Sequence, residues 1–173
     1  MHLTERDLAN RKRWEDAGYL LPAFDRKAMQ ERTRQMPRWV HFGAGNIFRA
    51  FIACVQQHVL NAGETDTGII VAEGYDAEII HKAYRPMDNY CLAVTLKADG
   101  SIQKEVVGSI AESLGMDRGS GDWERLREIF RSPSLEMASF TITEKGYQIR
   151  GADGAVLPGP AADFQAGPDG AES

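Results

Sequence analysis

The sequence predicts an α/β fold built on a doubly wound, mostly parallel β-sheet that carries a β-hairpin insertion and is incomplete. A short apolar run at residues 39–42 leads into a Gly-x-Gly turn and then directly into a helical pattern, which is the order of a βα unit. A second apolar run, at residues 68–72, is unbroken and rich in β-branched residues, as in a parallel strand covered on both faces. The Asp99-Gly100 dipeptide between two further apolar runs indicates a hairpin.

The composition excludes several classes of protein. The 173 residues are 43% hydrophobic and 26% charged, and 20 Lys and Arg face 25 Asp and Glu, so the net charge is −5. An acidic balance argues against nucleic-acid binding, which needs a basic surface. We find neither an apolar run near the roughly 20 residues that cross a bilayer nor a signal-peptide core. Two cysteines without CxxC spacing argue against a metal site. We therefore expect a cytoplasmic protein with no nucleic acid, membrane or metal as partner.

The first predicted region, residues 1–36, is a charged and helical N-terminal extension. A helix-start pattern opens at Thr4, and Gly18 ends that helix. A second helix covers residues 25–36 and stops before Pro37, because proline disfavours the helical conformation in the residue that precedes it.

The second predicted region, residues 37–157, is a partial dinucleotide-binding domain. Its three parallel-type strands are expected at residues 39–42, 68–72 and 135–143. The helix after the glycine turn covers residues 46–62 and is followed by a shorter helix at 76–84. Apolar residues of the longer helix recur at the spacing of one buried face; they are Ile47, Phe51, Val55, Val59 and Leu60.

A third helix, residues 122–131, is amphipathic. Its side chains expected to point inward are Trp123, Leu126, Ile129 and Phe130. A small hairpin is expected around Gly154. Residues 158–173 are almost all Gly, Ala, Pro, Asp and Glu, and such a segment buries too little apolar surface to offset its ordering entropy. This last region is therefore predicted to be a flexible tail.

The motif that carries chemistry is the Gly-Ala-Gly turn at residues 43–45. The first glycine of such a turn allows a tight bend, and the second leaves room for a pyrophosphate group to approach the backbone. Amides at the start of the following helix then bind the anion. Phe48 occupies the third glycine position of the GxGxxG pattern, so a plain turn without a ligand stays open as the alternative. Arg49 either contacts the pyrophosphate or a charged group of the substrate, or is a surface arginine paired with an acid.

An acidic residue after the second strand is the expected partner of the adenosine ribose hydroxyls. Glu73 is the first choice and Asp76 the second, with Glu78 also open. A carboxylate there would repel the additional phosphate of NADP, so NAD is preferred as the cofactor. The alternative is that Asp76 caps a helix and Glu73 is only solvated. Thr143 and Glu144, with Lys145, would line the ligand crevice at the end of the last strand, or would form a surface turn.

Two segments resemble landmarks of a known family. Residues 39–50, which read WVHFGAGNIFRA, and residues 139–147, which read SFTITEKGY, are similar to signatures of the mannitol dehydrogenase family, the polyol-specific long-chain dehydrogenases. Residues 66–76 are most similar to the fructuronate reductase, or mannonate oxidoreductase, branch. The resemblance implies a Rossmann-like domain that binds NAD or NADP. It favours coenzyme contact by Gly43, Gly45, Asn46, Phe48 and Arg49, and it favours Thr143 and Glu144 as crevice residues. The predicted coenzyme contacts also include Ala44 and Ile47 of the turn and the two carboxylates Glu73 and Asp76.

The resemblance also implies what this chain lacks. The family reduces a ketone with a lysine in a Lys-x-x-x-x-Asn-x-x-His motif on a C-terminal helical domain, and no such motif occurs here. We therefore expect the cofactor-binding N-terminal portion of an NAD(P)-dependent oxidoreductase acting on a sugar acid or polyol, with no catalytic residue in this chain and no activity alone. The alternative is a non-catalytic nucleotide-binding or interaction module, and binding of another adenine-bearing ligand is a third interpretation.

Overall fold

The computed structural model describes residues 1–142, 146, 148–168 and 170–171. The chain divides into two compact units, Met1–Thr141 and Ile142–Ser173. This division differs from the predicted regions, whose boundaries lie after residues 36 and 157. In the described part of the chain, no helix combines the length and the apolar character needed to cross a membrane.

The first unit contains most of the helices and all of the named strands. Its elements before the glycine turn are α1 Glu5–Leu8, α2 Arg11–Asp16, β1 Tyr19–Leu20, α3 Arg26–Gln35 and β2 Trp39–Phe42. A π-helical turn at Phe48–Ile52 continues into α4 Ala53–Asn61, and β3 Ile69–Glu73 follows. The remaining elements are a second π-helical turn Ile80–Tyr84, a short 3₁₀ turn Arg85–Met87, β4 Cys91–Leu96, β5 Ile102–Val107, β6 Ile110–Gly115, α5 Gly121–Arg131 and β7 Met137–Phe140.

Four parallel strands form the main sheet, in the order β6-β3-β2-β7. This confirms the predicted α/β class with a parallel sheet. Three of these strands were predicted and β6 was not, because the apolar residues of β5 and β6 follow one another with only Gly108 and Ser109 between them. Within the described residues, the order matches four of the six strands in a complete dinucleotide-binding sheet, which is consistent with the predicted incomplete domain.

Both faces of the central strands are covered. Ile69 and Val71 of β3 pack with α4 and the second π-helical turn in one apolar cluster, whereas Ile70 and Ala72 pack with α5 in another. Alternate side chains of a strand point to opposite faces. The unbroken apolar pattern of β3 is therefore explained by helices on both sides of the sheet.

The connections reverse direction between β2 and β7. From β2 the chain passes to β3 and then to β6 on one side, and it returns through α5 to β7 on the other side of β2. Ligands of open parallel sheets bind outside the carboxyl ends of the strands at such a reversal point. The glycine turn follows β2 at this carboxyl edge.

The predicted hairpin is confirmed, and it belongs to a second sheet. Strands β4 and β5 pair antiparallel, and Gly100 in the connecting turn has a φ of +81°. Strand β1 pairs in parallel with β5 to give the order β1-β5-β4. The N-terminal region was predicted to be helical, and strand β1 within it was not predicted. Because β1 pairs with the hairpin, this region is part of the first unit.

The predicted first helix is interrupted. Leu8 ends α1, and the side chain of Asn10 caps α2 by accepting a hydrogen bond from the amide of Arg13. Asparagine bonds readily to nearby backbone groups and therefore favours caps over helix interiors. The second predicted helix is confirmed as α3, with Asp25 as its N-terminal cap.

The predicted buried face of the helix after the glycine turn is wrong for three of its five residues. Ile47, Phe51 and Val55 are 68%, 66% and 46% exposed, whereas Leu60 is buried as expected. Ile47 lies before the π-helical turn, at the exposed start of the helix. The π-helical turn inserts a residue into the helical repeat, which rotates the residues after it, including Val55, relative to the pattern of an unbroken helix. The residues buried instead are Phe48, Ala53, Cys54, Gln56 and Gln57.

The inward face of α5 is confirmed at Leu126 and Ile129, and Trp123 is partly buried. The prediction was wrong for Phe130, which is 51% exposed. Phe130 lies 6.0 Å, between ring centroids, from Phe42 of β2. It sits toward the β7 edge of the sheet, where the side chains of β7 are themselves largely exposed.

The second unit contains a turn and a helix. An antiparallel bridge between Arg150 and Val156 encloses the expected hairpin around Gly154. Helix α6, Pro158–Ala166, lies in the stretch that was expected to have no regular structure, and it buries none of its side chains. Its formation has a local reason, since proline at the first helical position already has a helical φ and alanines follow it.

Candidate functional site

The first glycine of the turn is required by packing. Gly43 has a φ of +109°, and its amide donates to the carbonyl of Ala72 at 2.9 Å. A Cβ atom on Gly43 would lie 2.4 Å from Oγ1 of Thr141 and 2.8 Å from its carbonyl oxygen. Glycine is therefore needed here both for the backbone conformation and for the close approach of the segment after β7.

The second glycine has no such structural reason. An added Cβ on Gly45 would meet no atom within 4 Å, and its φ is not in the left-handed region. Gly45, Asn46 and Ile47 are exposed at the carboxyl edge of the sheet. The space in front of Gly45 is open to a ligand.

The helix that follows presents its amino end to this space. Its first intrahelical hydrogen bond runs from the amide of Arg49 to the carbonyl of Gly45 at 3.2 Å. The amides of Asn46, Ile47 and Phe48 precede that bond, and the first amides of a helix have no intrahelical acceptor. Together with the helix dipole, they form an arrangement suited to an anion.

Ala44 was predicted to contact a coenzyme, but the protein uses both of its backbone polar groups. Its amide donates to Oε2 of Glu73 at 2.8 Å, and its carbonyl accepts from the Tyr84 hydroxyl at 2.7 Å. The Ala44 side chain is fully buried. Its contacts connect the turn to β3 and to the second π-helical turn.

Phe48 explains the missing third glycine. Its side chain is fully buried and stacks on the ring of His41, with 4.6 Å between centroids and 12° between planes. The helix is therefore held beside its strand by an aromatic pair rather than by close backbone approach. His41 is itself packed and hydrogen-bonded, and burial lowers its pKa to about 4.

Arg49 lies beside the turn with part of its donor capacity free. Its Nη2 donates to Oδ1 of Asn46 at 2.6 Å, and its Cζ lies 5.8 Å from the centroid of the Tyr84 ring. Its Nε is buried and has no hydrogen-bond partner within the described part of the chain. Asn46 and Arg49 line a groove that Lys82 also lines. The groove thus has a positive charge next to the helix start.

Glu73 is the carboxylate closest to the turn. It ends β3, and besides Ala44 it accepts hydrogen bonds from the amides of Tyr75 at 2.8 Å and Asp76 at 3.2 Å. Partial burial raises the pKa of Glu73, but these backbone donors outweigh that effect and hold the pKa below its usual value. The carboxylate is therefore ionised and fixed at the carboxyl edge.

The other acidic residues predicted for the site, Asp76 and Glu78, are exposed at the surface. Asp76 is exposed, and its amide is bonded to Glu73. Glu78 is exposed and forms an ion pair with Lys82, four residues along. Thr143 and Glu144, with Lys145, lie outside the described residues.

Two residues near the site were not predicted. Tyr75 is fully exposed beside Glu73, and its only sequence signal was its place directly after the carboxylate and a glycine. Thr141 packs against Gly43, and it lies in the second family-like segment, two residues before the predicted Thr143. In the part of the chain that the structure describes, no group of three His, Cys, Asp or Glu side chains is placed to hold a metal ion.

Similarity to known proteins extends over nearly the whole chain. No protein-family model matches it. D-mannonate oxidoreductase of Thermotoga maritima is 46% identical over 168 residues, which are 97% of this chain and 31% of that protein. Mannitol 2-dehydrogenase of Cereibacter sphaeroides is 30% identical over 140 residues, 79% of this chain and 27% of that protein. The chain thus spans about a third of the length of the curated relatives it matches.

A solved structure shares the fold. Mannitol 2-dehydrogenase of Pseudomonas fluorescens, in a ternary complex with NAD and D-mannitol, superposes with a TM-score of 0.73 and is 22% identical. The superposition covers 96% of this chain and 31% of that one. These matches agree with the two landmark segments and with the parallel sheet. The matched part of each relative is consistent with its N-terminal region. The chain therefore belongs to the mannitol dehydrogenase family.

Proposed function

We propose that this chain is the nicotinamide-dinucleotide-binding portion of an oxidoreductase that acts on a sugar acid or a polyol. The observation that carries the proposal is the open space in front of Gly45, which lies at the start of a helix and at the carboxyl edge where the sheet reverses direction. Neither the backbone conformation nor the packing of the protein requires glycine at position 45. A ligand that occupies the position of a side chain there would require it.

The residues around this space fit a dinucleotide. The amides of Asn46 and Ile47 would bind one side of the pyrophosphate, and the positive end of the helix dipole would favour its charge. Arg49 lines the groove beside the helix start, and a charge-assisted hydrogen bond from its guanidinium would bind a phosphate oxygen. Asn46 holds the guanidinium in place through Oδ1.

The adenosine half of the ligand would meet Glu73. The backbone donors that bind this carboxylate keep it ionised and fix its position. An ionised carboxylate accepts hydrogen bonds from the two ribose hydroxyls and repels a 2′-phosphate. We therefore infer NAD rather than NADP, and we assign the ribose contact to Glu73 ahead of Asp76 and Glu78, because Glu73 also contacts the turn.

The class of reaction is inferred from the relatives. Proteins named D-mannonate oxidoreductase and mannitol 2-dehydrogenase match this chain, so the substrate of the whole protein would be a sugar acid or a polyol. When bound, nicotinamide supplies hydride transfer to or from a carbon that bears oxygen. The chain's own residues would bind and orient the coenzyme. Reduction of a ketone also needs a proton donor, which we expect outside this chain, so the chain alone should not turn over substrate.

Titration of the chain with NADH tests the proposal, and Gly45→Ala is the informative variant. Its Cβ would enter open space, so the fold should be unchanged while coenzyme binding weakens by roughly tenfold or more, since the new methyl group occupies the position of the pyrophosphate. Gly121→Ala is the matched control, because Gly121 also has open space at its Cβ position and lies at the start of a different helix, α5.

The two outcomes separate the candidate functions. Binding that weakens in Gly45→Ala and not in Gly121→Ala supports a coenzyme at the turn. An absence of binding by the folded wild-type chain at millimolar NADH, or equal binding by the two variants, would overturn the proposal and favour a module without a nicotinamide coenzyme.

A further inference from the structure

Four side chains between β2 and β7 form a continuous chain of hydrogen bonds that ends at the glycine turn. Nε1 of Trp39 donates to Oγ of Ser139 at 2.7 Å, and that oxygen lies 2.8 Å from Nδ1 of His41. On the other side of the ring, Nε2 of His41 lies 3.2 Å from Oγ1 of Thr141. The Thr141 hydroxyl then donates to the carbonyl of Gly43 at 3.4 Å.

The groups at the two ends of this hydrogen-bond network determine in which direction its hydrogen bonds are donated. The indole of Trp39 can only donate, and the carbonyl of Gly43 can only accept. If His41 carries its hydrogen on Nε2, the hydroxyls of Ser139 and Thr141 each accept one hydrogen bond and donate one, and all four bonds form. With the hydrogen on Nδ1 only three can form, because the Ser139 hydroxyl would accept twice and Thr141 would donate to His41 in place of Gly43.

The hydrogen-bond network ends where Thr141 approaches the glycine turn most closely. Oγ1 of Thr141 lies in the space that a Cβ atom on Gly43 would need. The amide of Thr141 donates to the carbonyl of Phe42 at 2.9 Å, and the amide of Gly43 donates to Ala72. The backbone of Gly43 is thus held from β3 on one side and from the segment after β7 on the other.

We propose that His41, with its hydrogen on Nε2, is a positioning residue that orients Thr141 onto Gly43 and thereby sets the direction of the coenzyme-binding turn. This inference rests on the proposed function, since it assigns to the network a purpose in coenzyme binding. His41 does not touch the ligand in this assignment. It acts through Thr141, while its stacking on Phe48 fixes the ring plane beside the helix start.

The burial of His41 agrees with this assignment. The side chain is fully buried, and burial lowers its pKa to about 4, so the ring is neutral near neutral pH. A neutral imidazole has one donor and one acceptor nitrogen, as the directed chain requires. A protonated ring would place a second donor against Ser139, which already accepts from Trp39.

Nitrogen-15 NMR of the histidine rings in the whole 173-residue chain tests the tautomer without any ligand. We expect His41 to show a protonated Nε2 and an unprotonated Nδ1, and to keep both signals down to about pH 5, where a histidine of ordinary pKa is largely protonated. The Ser139→Ala variant assigns the signals, because it removes the partner of Nδ1. A hydrogen on Nδ1 would overturn the inference.

Two substitutions at Thr141 test the positioning role. Thr141→Val keeps the shape and loses the hydroxyl, so the His41 Nε2–H is left without an acceptor, and we expect NADH binding to weaken by roughly tenfold. Thr141→Ser keeps the hydroxyl and should retain affinity near the wild-type value. Thr67→Val is the control for losing a hydroxyl at a buried threonine, because Thr67 precedes β3 at the opposite edge of the sheet.

The outcomes separate this inference from the proposed function. If the folded wild-type chain does not bind NADH, both are overturned. If it binds but Thr141→Val and Thr141→Ser bind equally well, only the positioning inference is overturned. If Thr141→Val does not fold, the comparison of His41→Phe with wild type replaces it, because phenylalanine keeps the stack on Phe48 and removes both ring nitrogens; NADH affinity unchanged from wild type in that variant would overturn the inference.

Discussion

The carboxylate of Glu73 accepts a 2.8 Å hydrogen bond from the backbone amide of Ala44, across the carboxyl ends of two neighbouring strands. Glu73 is the residue proposed to bind the ribose, and Ala44 belongs to the turn proposed to bind the pyrophosphate. Their hydrogen bond therefore connects the two halves of the proposed coenzyme site in the protein without a ligand. The amides of the turn thus have different partners. The amide of Ala44 donates to Glu73, whereas the amides after Gly45 remain available to a ligand.

Replacing Glu73 by glutamine tests both functions of this carboxylate. The amide side chain can accept from fewer backbone donors and carries no charge, so the free energy of unfolding should fall by about 1–2 kcal/mol. Without the negative charge, discrimination against NADPH should weaken, which a comparison of NADH and NADPH affinities measures. Glu78→Gln is the control, because Glu78 is exposed and paired with Lys82. An unchanged NADPH to NADH ratio in Glu73→Gln would contradict the assignment.

Replacement by alanine should lower stability at the first glycine of the turn and leave it unchanged at the second. In Gly43→Ala the new Cβ would overlap Thr141 in a left-handed conformation, and we expect a loss of about 2–4 kcal/mol in the free energy of unfolding. In Gly45→Ala the unfolding free energy should stay within about 0.5 kcal/mol of wild type. Urea denaturation followed by circular dichroism checks both. Equal stability of the two variants would show that the close approach of Thr141 to Gly43 does not hold in solution.

Arg49 should contribute to coenzyme affinity through its charge. Arg49→Gln removes the guanidinium beside the helix start, and we expect NADH to bind about ten times more weakly, because a hydrogen bond to a charged group contributes about 1.5–3 kcal/mol. The dependence of affinity on salt should fall as well. Arg127→Gln is the matched control, since Arg127 is an exposed residue of α5 paired with Glu124. If the two variants bind NADH alike, Arg49 does not contact the coenzyme.

His41 should make stability depend on mildly acidic pH. Burial lowers its pKa from 6.5 to about 4, so the unfolded chain takes up a proton at a higher pH than the folded chain does. The stabilisation is therefore complete above about pH 6.5 and is lost as the pH falls toward 4, up to about 3 kcal/mol in total. Thermal unfolding of wild type and His41→Phe across this range isolates the contribution. Parallel pH profiles for the two proteins would contradict a buried neutral histidine.

The sequence determined the local parts of this protein. The strand β2, the apolar strand β3, the hairpin around Gly100 and the Gly-Ala-Gly turn all follow from periodicity and turn residues over short stretches. The family resemblance followed from the two landmark segments, 39–50 and 139–147. Each of these features depends on interactions between residues close in sequence, which an amino-acid pattern reports directly.

Only the tertiary structure decided which residues of those segments meet. The face of α4 depends on an extra residue in the π-helical turn, and the contact of Glu73 with Ala44 joins residues 29 positions apart. The distinct roles of Gly43 and Gly45 arise because Thr141, 98 residues along the chain, occupies the space beside the first glycine and not the second. Such contacts depend on strand order and register, and a local pattern of side chains does not encode these.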